Sequence, residues 1–278
     1  MPRIGFMQGR LSPQINGKIQ AFPWQSWESE FVIGGRENFE LIEWTLDEDR
    51  LHENPLLLDS GQERILELSR TSGIQLISLT GDCFMQAPFW KAPETRRRSL
   101  LQDLGSILGA CAAVGIRYVV MPLVDNGRLE NDAQRQSLLD GLLPLVPWLL
   151  KHEIAIVFES DYPPEVLAEL ITSLPDSSFG INYDIGNSAS LGFDPAAEIL
   201  AYGSRIRNVH VKDRMLGGTT VPLGTGAADF PLVFRELKRI GYQGDFILQT
   251  VRAADGGHLD ALLRYREMVR GWLGTSSA

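Results

Sequence analysis

The chain has 278 residues, ample for a large core as one big domain or two smaller ones. Hydrophobic residues make up 44% and charged residues 22%, an ordinary balance for a globular protein. The formal net charge of -9, with no basic run beyond Arg96-Arg97-Arg98, argues against duplex nucleic acid, which needs a basic face, and disfavours long-range attraction of anionic substrates.

The start, MPRIGFMQGRL, lacks the apolar run of a signal peptide, and no stretch reaches the ~18 apolar residues of a membrane span. Two cysteines, Cys83 and Cys111, make no disulfide framework and read as buried thiols, so a reduced cytoplasmic setting is expected. Short β-rich runs then alternate with amphipathic helical patterns. RIGFMQ (3–8) leads through a long connection, RLSPQINGKIQAFPWQSW, to FELIEWT (39–45). Helical patterns at Ser60–Thr71, Arg96–Ala113, Ala133–Lys151, Pro164–Ser173, Pro195–Ala201 and Pro231–Ile240 each precede a strand pattern: IQLISLT (74–80), YVVMPLV (118–124), IAIVFES (154–160), FGINYDI (179–185), IRNVHVK (206–212) and DFILQTV (245–251). Leu259–Leu273 reads as the closing helix. Turns such as SRTSGIQLI, AAVGIRYVV and KRIGYQGDFIL put Gly where a helix C-cap needs left-handed backbone.

Strands alternating with helices imply parallel crossovers, and eight such units in about 250 residues match an α/β fold of the (β/α)8 TIM-barrel type. A doubly wound open sheet is the rival, and the absence of GxGxxG after the first strand weakens its dinucleotide-binding form. One barrel domain over 1–278 is expected, with a frayed tail at 274–278. Phe22, Trp24 and Trp27 in the first connection either cover one barrel end, the preferred reading, or form a pocket wall or lid.

Four apolar runs end on a polar group: Glu159, Asp184, His210 and Gln249. They close the fifth to eighth strands, which are neighbours around a barrel, and the C-terminal strand ends of such a barrel face one mouth. Two carboxylates, an imidazole and an amide oxygen there suit one divalent ion of the Zn, Mn, Mg or Co type. The bland alternative, a hydrogen-bonded group closing each strand, holds better for any one of them than for all together.

The pattern resembles the sugar phosphate isomerase/epimerase group with the xylose isomerase-like TIM barrel, which includes ketose 3-epimerases and endonuclease IV. The resemblance spans nearly the whole chain. IGFMQGRLSP, IEW, FES, YDIGN, HVKDR, GTGAADF and GYQGDFIL carry it, in that order. It implies a metal bound by Glu159, Asp184, His210 and the residue at 249, and catalysis by two metal-bound glutamates. This chain departs at the second glutamate, where it has Gln249, which can ligate through oxygen but cannot take up a proton.

Three functional readings follow from that departure. Glu159 serves as sole base of an aldose–ketose isomerase; or Lys212, Asp213 or a bound water supplies a second proton; or the barrel binds sugar or metal without turnover. Arg10 and Gln8, after the first strand, and Glu43, in IEW, are candidate sugar or phosphate contacts, with an Arg10–Glu43 rim pair as the bland reading. Asn187 and Arg214 stand where epimerases carry substrate-binding groups, and Asp82 and Asp125 are weaker candidates. GTGAADF either offers amides to phosphate or, preferably, makes a turn with Asp229 as helix N-cap. His52, His152 and His258 are expected outside the metal site. An endonuclease-like chemistry is disfavoured by four histidines and an acidic chain. The expected partner is a small sugar or sugar phosphate, with no nucleic acid and no membrane; a homo-oligomer stays open.

Overall fold

The computed structural model describes residues 2–15, 17–18 and 20–275. Eight barrel strands are present: β1 (Ile4–Met7), β2 (Leu41–Leu46), β3 (Gln75–Gly81), β4 (Tyr118–Leu123), β5 (Ala155–Ser160), β6 (Phe179–Asp184), β7 (Ile206–Val211) and β8 (Phe246–Leu248). Each pairs in parallel with its neighbours, and β8 closes the ring against β1. The chain is therefore the expected (β/α)8 barrel. Among the described residues, no helix is long and apolar enough to cross a membrane.

Local chemistry sets the element ends. Gly73 and Gly115 adopt φ of 78° and 87° at helix C-caps, and their N–H groups return to Ser69 and Cys111 carbonyls. The pattern over 133–151 is not one helix but two, Asp132–Leu142 and Val146–His152, with a tight turn between them. Pro144 and Pro147 lack N–H donors and crowd the preceding turn, which breaks the run. Trp27–Arg36 is a helix that its Gly34-Gly35 pair hides from propensity. A side chain at Gly34 would meet Phe6 and Ile74, so glycine is what lets this helix lie against the barrel. Gly274 and Thr275 belong to the last helix, His258–Thr275; the rest of the expected frayed tail lies outside the described residues.

Alternation along the strands divides the residues between two environments. Phe6, Ile42, Trp44, Phe158, Phe179 and Val209 join the main core between barrel and helices. Phe22 and Trp27 pack on Trp44 there, at centroid separations of 5.3 and 5.6 Å, so these aromatics cover the barrel wall. Met7, Leu41 and Ile247 form a separate apolar cluster on adjacent strands, inside the ring. Toward the C-terminal strand ends the inward face carries polar groups, among them Glu43, Glu159, Asp184 and His210.

Gly5 faces Leu41 across β1 and β2, and a Cβ there would lie 2.5 Å from Leu41 Cβ and 2.8 Å from its carbonyl oxygen. Gly5→Ala is expected to cost about 1–3 kcal/mol, read as a lower urea midpoint at unchanged slope.

Candidate functional site

Glu43 and His210 lie on β2 and β7, which the ring separates by β1 and β8, so a bond between them must cross the barrel interior. Both are 0% exposed. His210 Nε2 lies 2.7 Å from Glu43 Oε1. The Thr80 hydroxyl donates to the same oxygen at 2.6 Å, and Asn208 Nδ2 donates to Oε2 at 2.9 Å. Burial opposes ionisation of Glu43, but His210 and the Ser78 and Thr80 hydroxyls outweigh it and hold its pKa low. Burial likewise opposes charge on His210, but Glu43, then Asp184 and Glu159, push its pKa well up.

Two asparagines extend this network. Asn208 Nδ2 also donates to Asn182 Oδ1 at 2.9 Å. Asn182 Nδ2 donates to Glu159 Oε2 at 2.8 Å and lies 3.0 Å from His210 Nδ1. Asn187 Nδ2 donates to Glu159 Oε1 at 2.7 Å, so amides orient both oxygens of Glu159. Arg214 in turn donates to Asn187 Oδ1 at 2.9 Å and to the Gly218 carbonyl at 2.7 Å. Asp184 caps the short helix Ile185–Leu191 by accepting from Asn187 N, and Lys212 Nζ lies 2.6 Å from its Oδ2. Burial would raise the Asp184 pKa; Lys212 and His210 outweigh it and bring it to about 2.

Glu159, Asp184 and His210 each present one donor atom to a common space, all within 4.8 Å of one another. His210 Nδ1 is 3.2 Å from Glu159 Oε2 and 3.8 Å from Asp184 Oδ2. With Nε2 facing Glu43, Nδ1 is the nitrogen turned toward Glu159 and Asp184, beside Asn182, and a carboxylate behind a ligating histidine sets its ring orientation. Gln249 Oε1 is buried and has no hydrogen-bond partner among the described residues. Two carboxylates, an imidazole nitrogen and an orphaned amide oxygen fit a divalent cation.

Several expectations change at this point. Glu43 is closed on His210, Thr80 and Asn208 rather than paired with Arg10 at the rim. Asp213 cannot serve as a proton donor as it stands. It is 0% exposed, and its carboxylate accepts from the backbone N–H groups of Gly224, Gly226 and Ala228. Those amides belong to GTGAADF, so the loop grips its own carboxylate rather than a phosphate, and Asp229 caps the next helix through Leu232 N.

Gln8 is wholly buried and accepts from Thr45 N at 3.2 Å, at the joint of β1 and β2. Arg10 is buried as well, with Nη2 3.4 Å from Gln20 Oε1. Asp125 is exposed, outside the network. His52 lies near Asp103, His152 stacks on Trp148, and His258 starts the last helix; none joins the cluster. Cys83 and Cys111 are free and buried. Sequence reading missed Asn182, Asn208, Thr80 and Gln20. The two asparagines stand two residues before Asp184 and His210, a period-2 signal for the same strand face.

The model of the xylose isomerase-like TIM barrel family matches residues 36–273. The chain belongs to that family. Among curated proteins, this xylose isomerase-like barrel is similar to L-ribulose-5-phosphate 3-epimerase UlaE of Escherichia coli (strain SMS-3-5 / SECEC), 27% identical over 240 residues, with 81% of this chain and 82% of the relative covered. Among solved structures it is similar to the IOLI protein with a bound zinc atom, at TM-score 0.77 and 18% identity, covering 99% of each chain. It is also similar to L-ribulose 3-epimerase, at TM-score 0.74 and 14% identity, covering 99% of this chain and 96% of that one. The structural likenesses establish the shared fold.

Removing the Asp213 carboxylate leaves three backbone amides without their acceptor. Asp213→Ala is expected to speed amide hydrogen exchange at Gly224, Gly226 and Ala228 by at least about tenfold, measured by NMR or mass spectrometry.

Proposed function

We propose that this chain is a divalent-metal-dependent epimerase or isomerase of a small ketose or ketose phosphate, moving a proton at the carbon next to the carbonyl. The convergence of Glu159, Asp184 and His210 Nδ1, with His210 Nε2 fixed by Glu43, carries the reading. The similarity to a sugar-phosphate 3-epimerase supports it.

Glu159, Asp184, His210 and Gln249 would hold the ion, which when bound supplies Lewis acidity toward the substrate's oxygens. Glu159 is the base. Asn182 and Asn187 orient its two oxygens, and Arg214 braces Asn187. Glu159 takes the proton from the carbon, and the C–H electron pair moves into the enediolate of the sugar. Lys212, ion-paired with Asp184, balances the charge of that carboxylate. Asn187 and Arg214 stand beside Glu159, where they can also meet substrate hydroxyls, and Arg10 lines the mouth near Gln20. Gln249 favours a second reading, a sugar- or metal-binding barrel without turnover, because an amide cannot act as the partner base.

Mass spectrometry of the purified protein is expected to find about one divalent ion per chain, lost in Glu159→Ala/His210→Ala. Glu43→Gln is expected to weaken metal binding about 10–100-fold by titration against a chelator. Retention of the metal in the double variant sinks the site. The wild type is expected to wash solvent deuterium into L-ribulose, L-ribulose 5-phosphate or D-tagatose, followed by NMR. Glu159→Gln should slow that exchange by about 10²–10⁴-fold. Absence of exchange with each sugar, with ketose binding preserved in Glu159→Gln, would hand the case to the binding reading.

A further inference from the structure

Asp82 is the first residue after β3 and starts the short helix Asp82–Gln86. It is partly exposed. Its Oδ2 accepts from Gln20 Nε2 at 2.7 Å. Gln20 Oε1 accepts from Gln249 Nε2 at 3.2 Å and lies 3.4 Å from Arg10 Nη2. One glutamine of the first connection thus ties a carboxyl group to the amide that ends β8.

Glu159 and Asp82 belong to different networks at the same mouth. Glu159 comes from β5 and is held by Asn182 and Asn187. Asp82 comes from the end of β3, with β4 between the two in the ring, and is held by Gln20. Both stand at the ends where strands of the same barrel stop. Through Gln20, Asp82 is tied to the β8 end at Gln249, whereas Glu159 is held by the asparagines after β5.

We propose that Asp82 is the second proton-transfer residue of this site, acting on the face of the substrate carbon opposite Glu159, in place of a carboxylate at position 249. The inference rests on the epimerase reading above. Glu159 removes the proton from one face, and the C–H pair enters the enediolate. Asp82, as the acid, gives a proton to the other face; the enediolate pair forms the new C–H bond and the carbonyl returns. Glu159 then releases its proton to water and Asp82 takes one from water, so no net proton is consumed. Burial, then the like charges of Asp47 and Glu159, push the Asp82 carboxyl up to about 7, against Gln20 and Arg10. An acid in that range has the protonated form available at neutral pH. The partial exposure of Asp82 gives it the solvent contact that resetting requires.

The test uses the metal-loaded protein, with L-ribulose, L-ribulose 5-phosphate and D-tagatose in deuterated water, scored separately for deuterium entry and for the epimeric product. Metal content and the melting temperature of each variant are measured alongside. Asp82→Asn is expected to lose at least about 100-fold in epimer formation while Glu159-dependent deuterium entry falls less than about tenfold. Asp82→Asn/Gln249→Glu, which restores a carboxylate at the β8 end, is expected to regain at least about tenfold in epimer formation. Epimer formation within about threefold of wild type in Asp82→Asn overturns the proposal, as does equal loss of exchange and epimer with no rescue. Wild-type exchange that yields an aldose and no epimer also overturns it, while leaving Glu159 as the base. Wild type with no exchange on any of these sugars overturns the epimerase reading itself, and this inference with it.

Discussion

Two ionisable groups, Glu43 and His210, are taken entirely out of water and meet across the inside of the barrel. Removing one partner of such a pair leaves a buried charge uncompensated, at a cost of about 3–5 kcal/mol. That constraint propagates. The remaining oxygen of Glu43 needs a donor and finds Asn208; Asn208 also meets Asn182; Asn182 reaches Glu159. The inward positions of β2, β3, β6 and β7 are therefore polar where a barrel of this type more often carries branched aliphatic layers. Among the described residues, Met7, Leu41 and Ile247 form a distinct apolar cluster in that interior.

The same logic extends to the rim. Glu159 is oriented by amides on both oxygens, Asp184 is held by a backbone N–H and by Lys212, and Arg214 braces Asn187. The first connection is pinned in a similar way. Glu30 is buried and accepts from Gly9 N, Leu11 N and the Ser12 hydroxyl, while Arg252 donates to the Gly9 carbonyl at 2.8 Å. These bonds anchor the start of a segment that then delivers Gln20 to Gln249 and Asp82. A loop without regular structure thus contributes a fixed polar group to the site because charged residues on a helix and on the β8 connection hold it.

Strand ends were readable because an apolar run that stops on one polar residue carries both a period and a boundary. Glu159, Asp184 and His210 met as expected for that reason, and Asn187 and Arg214 proved to adjoin them. The bond from Glu43 to His210 was not legible, because a strand position does not say which partner across the ring a side chain meets. Asn182 and Asn208 passed as strand filler, although their spacing from Asp184 and His210 put them on the same face. The GTGAADF loop misled in part: its amides do converge on an anion, but the anion is the chain's own Asp213.

The sequence by itself determined the barrel, since hydrophobic period, glycine caps and strand count are local properties summed along the chain. It also determined the chemical inventory at the strand ends, including the amide at 249. Which nitrogen of His210 faces the cluster, which carboxylate stands behind it, and which glutamine bridges Gln249 to Asp82 were decided only by tertiary structure. Each depends on contacts between residues far apart in the chain, such as Glu43 with His210 and Gln20 with Gln249, and ring closure brings those partners together with no local pattern to announce them.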